Sequence, residues 1–410
     1  MTQNELIPHL FRTEFSKISS VLSRHFGFEH IGAAEDIASE VFLSALETWP
    51  YKGIPENPTA WLYAVAKNKA RNYVKRDQLF SEKIAVEIRE SSQQCGEFTI
   101  DMSENNITDS QLQMLFAVCH PAIPAEGQIS LALRFLCGFG IEEIANAFLT
   151  NKETVNKRLF RAKEKLRLEN VRIAFPADGQ IHDRLGNVLT TLYLLFNEGY
   201  YSESAESVVR KDLCLEAMRL THLLLENRQT DLPAVNALLA LMCFHASRFG
   251  ARTNAKGQMI LYADQDETQW DQRLIAKGTH FLHQASRGKL LSRYHLEASI
   301  AYWHTIKADT AEKWESILQL YDQLLMKEYT PVAALNRIFV LSKVKGKAVA
   351  LAEAEKLRLT DNPFYYTLLG ELYTDIDHLK AGESFGKALL LAKTNRDQET
   401  IRSKLAKLCC

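Results

Sequence analysis

The residues best suited to chemistry in this chain lie in two short basic segments, and that chemistry is the neutralisation of phosphate. From Lys67 to Arg76, the bases Lys67, Lys69, Arg71, Lys75 and Arg76 give +5 with no acid between them. From Lys152 to Arg167, seven Lys/Arg stand against two Glu, again a net of +5. Cations at this density draw a polyanion and displace its counterions. A solvated amphipathic helix shares the outline, so the surrounding pattern decides. Over Gly140–Arg167 that pattern is two short helices joined by a tight turn. Ile141, Ile144, Ala145 and Phe148 recur at helical spacing in the first. Asn151 is placed to cap the second, whose inward stripe is Val155, Leu159, Ala162 and Leu166. Thr154, Arg158, Arg161 and Lys165 take the opposite stripe. A basic helix about 24 Å long suits a major groove about 12 Å wide, so the segment is expected to read duplex DNA.

Other constellations promise less. Asp264, Asp266, Glu267 and Asp271 crowd around Trp270, yet the spacing lacks the glycine and terminal Glu of a calcium loop; helix capping and loop anchoring are the expected roles. Seven cysteines without CxxC spacing argue against a disulfide framework and a structural zinc, and Cys119 beside His120 reads as core packing. The 12 histidines do not cluster at ligand spacing, and no P-loop, HExxH or GxSxG occurs. No enzyme active site, no cofactor and no metal are therefore expected. FNEGYYSE, residues 196–203, reads either as a helix-end turn packed by aromatics or as part of a partner-binding pocket.

The elements that must position the basic segments are helical. With 18 Gly and 10 Pro in 410 residues, and abundant Ala, Leu, Glu and Lys, the composition predicts an all-α chain of two to three domains. Ala33–Trp49 places Ile37, Val41, Phe42, Ala45, Leu46 and Trp49 inward, with Glu35, Asp36, Glu40 and Glu47 near its outer face. Asn57 and Pro58 are the expected cap and first residue of the helix that ends in the first basic cluster. Trp61 and Tyr63 in that helix offer stacking surfaces for a separated strand, or are simply core. Residues 77–108 are read as an acidic flexible linker, since Asp77–Asp109 has eight acids and two bases. Residues 171–410 balance 30 Lys/Arg against 28 Asp/Glu and show no phosphate-binding face. There, helix pairs begin at Pro331 and Pro363, 32 residues apart, close to the tetratricopeptide period of about 34. No stretch is apolar enough to span a bilayer and the N-terminus lacks the order of a signal peptide, so a cytoplasmic protein with no membrane partner is expected.

At these residues the chain resembles the group 4, extracytoplasmic-function sigma factors of bacterial RNA polymerase. AEDIASEVFLSALETWP is similar to sigma region 2.2, PTAWLYAVAKNKARNYVKR to regions 2.3 and 2.4, and LRFLCGFGIEEIANAFLTNKETVNKRLFRAKEKLR to region 4. LQMLFAVCHPAIP, FNEGYYSE and DQDETQWD resemble a subgroup with a long C-terminal extension of tetratricopeptide-like helices. Two residues depart from the pattern: Asn72, where the family usually has Asp, and Leu149, where many members have Gly.

The resemblance implies a region 2 domain at 10–76, the linker at 77–108, a region 4 helix-turn-helix domain at 109–168, and a helical extension at 171–410 with tetratricopeptide-like repeats from about residue 310. It further implies a subunit that joins core RNA polymerase through Asp36 and Glu40. Lys152, Thr154, Lys157, Arg158, Arg161 and Lys165 would read the minus-thirty-five element of promoter DNA. Trp61, Lys67, Lys69, Arg71, Lys75 and Arg76 would engage the minus-ten element. The extension would regulate, or hold an unidentified protein or ligand. Two other readings stay open: a DNA-binding activator that does not join polymerase, and a C-terminal ligand-sensing or catalytic module with the sigma half as its output.

Overall fold

The computed structural model describes residues 3–85, 100–148, 150–200, 210–252, 260, 262–392 and 394–408. Leu149, most of the expected linker, the end of FNEGYYSE, and Cys409 and Cys410 lie outside the described residues. The described residues form helices and turns without a strand, and the chain divides into two compact units, 1–195 and 196–410.

The first unit opens with α1 (Gln3–Phe26), α2 (Ile31–Lys52) and α3 (Pro58–Ala85). Asn57 caps α3 as expected, its side chain accepting from the Ala60 N–H at 2.9 Å, and Pro58 occupies the first position, where its missing N–H costs nothing. Phe15, Ile18, Val41, Phe42, Trp49 and Leu62 share one core, which Ile100, Met102 and Ile107 complete. The expected linker is therefore helical at both described ends: α3 runs on to Ala85, and α4 (Glu104–Val118) starts under a Ser103 cap. Arg24 of α1 meets Asn106 of α4 at 2.9 Å.

Next come α5 (Ala125–Phe135), α6 (Ile141–Ala147) and α7 (Lys152–Leu168). Glu143 accepts from the Gly140 N–H at 2.7 Å and Asn151 from the Thr154 N–H at 2.7 Å, so each helix of the pair starts on a side-chain acceptor. Val155, Leu159, Ala162 and Leu166 are buried, as the stripe predicts. Burying these side chains contributes about 1.5–3 kcal/mol for each large one. The pair α6 and α7 does not stand apart from the first three helices: α1 packs on both α4 and α5, and α7 packs on the turn Phe28–His30. α8 (Ile181–Tyr200) follows, with Thr191 donating to Gln128 and Arg184 to the Phe116 carbonyl.

In the second unit, α9 (Lys211–Leu225), α11 (Gln272–Ala285) and α12 (Arg293–Trp303) pack around α10 (Pro233–Ala246), which is buried on almost every side. Gly199 lies where α8 meets the start of α9; a Cβ there would come within 2.8 Å of the Arg210 carbonyl. In FNEGYYSE, then, the described part is helix, with Phe196 and Tyr200 buried and stacked. Helices α13 (Ala311–Lys327), α14 (Pro331–Lys345), α15 (Lys347–Leu357), α16 (Pro363–Tyr373), α17 (His378–Leu391) and α18 (Asn395–Leu408) pack each on the next. Thr330 and Asn362 cap α14 and α16 just before their prolines. Leu369, Gly370, Tyr373, Ala381, Phe385 and Ala388 are all buried between α16 and α17 or beside them. The acidic cluster at 264–271 resolves into caps: Asp266 accepts from Thr268, and Asp271 from the Arg273 and Leu274 N–H groups at the start of α11. Among the described residues, no group of His, Cys, Asp and Glu could hold a metal ion.

Candidate nucleic-acid interface

The basic face of α7 is built by its caps and by the stripe that fixes its rotation. Lys152, Lys157, Arg161 and Lys165 are exposed; Thr154 and Arg158 are half-buried. The charge is largely paired. Lys152 reaches Glu142 at 2.9 Å, Lys157 reaches Glu153 at 2.6 Å, and Lys165 reaches Glu169 at 2.7 Å. Among the described residues, Arg161 is the one cation of Lys152–Arg167 outside an ion pair. Exposed pairs of this kind contribute about 0–1 kcal/mol each, so a phosphate can replace the carboxylate at little cost.

Arg158 departs from the expected open stripe. Its guanidinium bonds Glu126 of α5 at 2.8 Å and lies over the Phe148 ring, 5.5 Å from its centroid. It holds the turn against the neighbouring helix as well as facing outward. Phe160, 66% exposed, and Asn156 stand on the outer side of α7 and were not anticipated. Reading every outward position of the helix, rather than its charges alone, would have found both.

On α3 the five bases do not share one face. At about 100° per residue, Lys67, Arg71 and Lys75 fall on one side and Lys69 and Arg76 on the other. Lys69 is turned toward α2 and bonds Glu40 at 2.9 Å, while Arg71, Lys75 and Arg76 are exposed. Trp61 packs edge-on against buried Trp49, with centroids 5.5 Å apart, so it belongs to the rim of the core. Tyr63 donates to the Glu14 carboxylate at 2.6 Å; burial, and then that bond, push its hydroxyl far above the ordinary tyrosine range. It is engaged there rather than offered for stacking.

On α2 Asp36 and Glu40 are exposed as expected, but Leu46 and Glu35 are not where periodicity puts them. Leu46, expected inward, is 52% exposed, and Leu43 beside Glu40 is 54% exposed. Glu35, expected near the outer face, is buried; it accepts from Arg134 of α5 at 2.6 Å and from Lys163 of α7 at 3.4 Å. The outer face of α2 is thus mixed acidic and apolar, with Asp36, Glu40, Leu43, Leu46 and Glu47 in view of solvent.

No helix of the described residues is long and apolar enough to cross a membrane. Residues 10–79 match the Sigma-70 region 2 family, and residues 184–286 match a family of unknown function, DUF6596. The ECF RNA polymerase sigma-E factor of Escherichia coli (strain K12) is 28% identical over 154 residues, 37% of this chain and 78% of that protein. Its namesake in Salmonella typhimurium (strain LT2) is matched to the same extent. No solved structure matches the chain. The uncharacterized protein R00370 of Rhizobium meliloti (strain 1021) is 33% identical over 387 residues, which cover 92% of this chain and 90% of that one. The acidic and apolar face of α2 and the basic end of α3 lie within the region 2 match, and the likeness to R00370 spans almost the whole length: the chain is homologous to sigma factors over part of its length and belongs to the family of R00370.

Proposed function

We propose that the chain is a group 4 sigma factor, one that binds core RNA polymerase and directs initiation at particular promoters. The region 2 match supplies the polymerase-binding half of this reading, and the single observation that carries the other half is the Asn151-capped helix α7 with Arg161 on its exposed side. Asp36 and Glu40, with Leu43 and Leu46 next to them, dock on the core enzyme: such a face loses apolar surface to the partner and keeps its carboxylates for cations there. Lys152, Thr154, Lys157, Arg161 and Lys165 read the minus-thirty-five element, with Arg158 reaching phosphate if it releases Glu126. Lys67, Arg71, Lys75 and Arg76 hold the backbone at the minus-ten element, and Trp61 at the rim of the core supports the melted strand. The polymerase performs the catalysis, and the protein works in the cytoplasm beside it.

The tetratricopeptide-like pairs of the second unit regulate this activity or seat a partner segment. Run-off transcription with purified core polymerase tests the reading, using promoter fragments that the full chain is first shown to bind. A promoter-specific transcript that appears only with the chain is the expected result. Binding without any such transcript would leave a DNA-binding activator in its place.

A further inference from the structure

Apart from any sigma role, the second unit gathers buried cations around one tyrosine. Tyr262 has the guanidinium carbon of Arg248 5.5 Å from its ring centroid, the Lys307 ammonium at 5.6 Å and the Lys313 ammonium at 5.4 Å. Trp270 stacks on the same ring and His304 meets it edge-on at 5.1 Å. Close by, Arg252 lies 3.8 Å from the Tyr200 ring centroid, and Tyr200 itself packs on His245. These side chains come from α8, α10, residues 248, 252, 262 and 270, the segment between α12 and α13, and α13 itself, and periodicity in no single helix brings them together.

Two features separate this cluster from ordinary packing. Arg248 and Lys313 are 9% and 1% exposed, yet neither meets a carboxylate in an ion pair among the described residues. Lys313 donates instead to the Ile306 carbonyl and, at 3.2 Å, to the Tyr262 hydroxyl. Asp309, whose field favours the charged lysine, accepts from the Trp314 indole. A buried charge with no carboxylate in contact is costly. The second feature is a set of side-chain nitrogens without hydrogen-bond partners. Nε of Arg248, Nε1 of Trp270 and Nδ1 of His304 are out of solvent and make no hydrogen bond. Each such group costs about 1–3 kcal/mol, and three of them border one aromatic ring.

We propose that the Tyr262 cluster is a binding site for a small oxyanion, the phosphate or carboxylate group of a metabolite-sized ligand. The anion supplies the missing negative charge to Arg248 and Lys313. It accepts from Arg248 Nε and Trp270 Nε1 in a geometry that a planar guanidinium and a fixed indole favour. Lys307, half-buried, stands at the edge of the site. Tyr262 and Trp270, stacked at 6.2 Å, offer an aromatic wall to the rest of the ligand.

The test is thermal unfolding and isothermal titration of the full chain with sodium phosphate and, separately, sodium acetate, each against chloride at equal ionic strength. A saturable rise in Tm with one of them is expected, and which of the two anions gives it identifies the ligand group. Because the basic helix α7 also attracts phosphate, Arg161→Ala serves as control and keeps the rise. Arg248→Gln abolishes it, and Lys307→Gln, which also loosens the bonds to the Tyr262 and Gln265 carbonyls, weakens the apparent affinity about tenfold. No saturable rise with either anion, or a rise that survives in both Arg248→Gln and Lys307→Gln, would overturn the proposal. Neither result bears on promoter-specific transcription.

Discussion

Glu35 on α2 and Arg134 on α5 are joined at 2.6 Å, and the same carboxylate takes the Lys163 ammonium of α7 at 3.4 Å. One buried acid therefore ties the first three-helix core to the helix-turn-helix. Replacing it by Gln leaves two cations facing a neutral amide in a partly buried place. Glu35→Gln is expected to lower the stability of the first unit by about 2–3 kcal/mol, read as a drop in the denaturant midpoint. Asp36→Asn, one residue on and exposed, should leave that midpoint unchanged.

Arg161 and Arg158 differ in what else they hold. Arg161→Ala should weaken binding to promoter duplex and reduce the salt slope by about one, with the melting temperature unmoved. Arg158→Ala removes the Glu126 bond and the Phe148 contact, so it should lower both affinity and Tm. If both variants lose affinity and neither loses stability, the role given to Arg158 in the turn is wrong.

Gly370 of α16 lies under the Phe385 ring of α17, where a Cβ would fall 2.6 Å from a ring carbon. Gly370→Ala should destabilise the second unit by roughly 1–3 kcal/mol through overpacking. Pairing it with Phe385→Leu, which withdraws the ring, should recover part of that loss in a double-mutant cycle.

His304 carries a pH dependence. Burial, followed by Arg248 and Lys313, pushes its imidazole down to about 3 in the folded chain, whereas the unfolded chain takes up the proton near 6.5. Unfolding therefore binds a proton below about pH 6.5, and stability that is complete above that pH is lost as pH falls toward 3. Denaturant midpoints measured at pH 7 and pH 5 should fall in the native chain. They should fall less in His304→Phe, by up to one proton's worth of slope. Equal slopes in the two proteins would show that the ring is not held neutral.

Much of the sigma-like half was legible in the sequence because its signals are local. Asn57 and Asn151 sit where caps are needed, as does Asp271 in the second unit, and each caps in the structure. The stripe of Val155, Leu159, Ala162 and Leu166 is a property of one helix, and it is buried. What could not be read was set by neighbours far along the chain. Helical spacing puts Glu35 at the edge of an acidic face, and the arrival of Arg134 turns it inward. It puts Leu46 at the edge of an apolar face, and among the described residues no helix covers it. Charge counting could not tell that Arg158 faces Glu126. The Tyr262 cluster left no trace at all, since Arg248, Trp270, His304 and Lys313 come from separate elements.

The carboxylates paired along α7 have a consequence for selectivity. Glu142, Glu153 and Glu169 are tethered counterions, held against the cations proposed above to meet DNA. An arbitrary polyanion has to displace them one by one, without gaining the mixing entropy that free salt ions give on release. A duplex whose phosphates match the spacing of several bases at once does so cooperatively. Each exchange is small on its own, and summed along α7 the acids would favour sites that engage several bases at once.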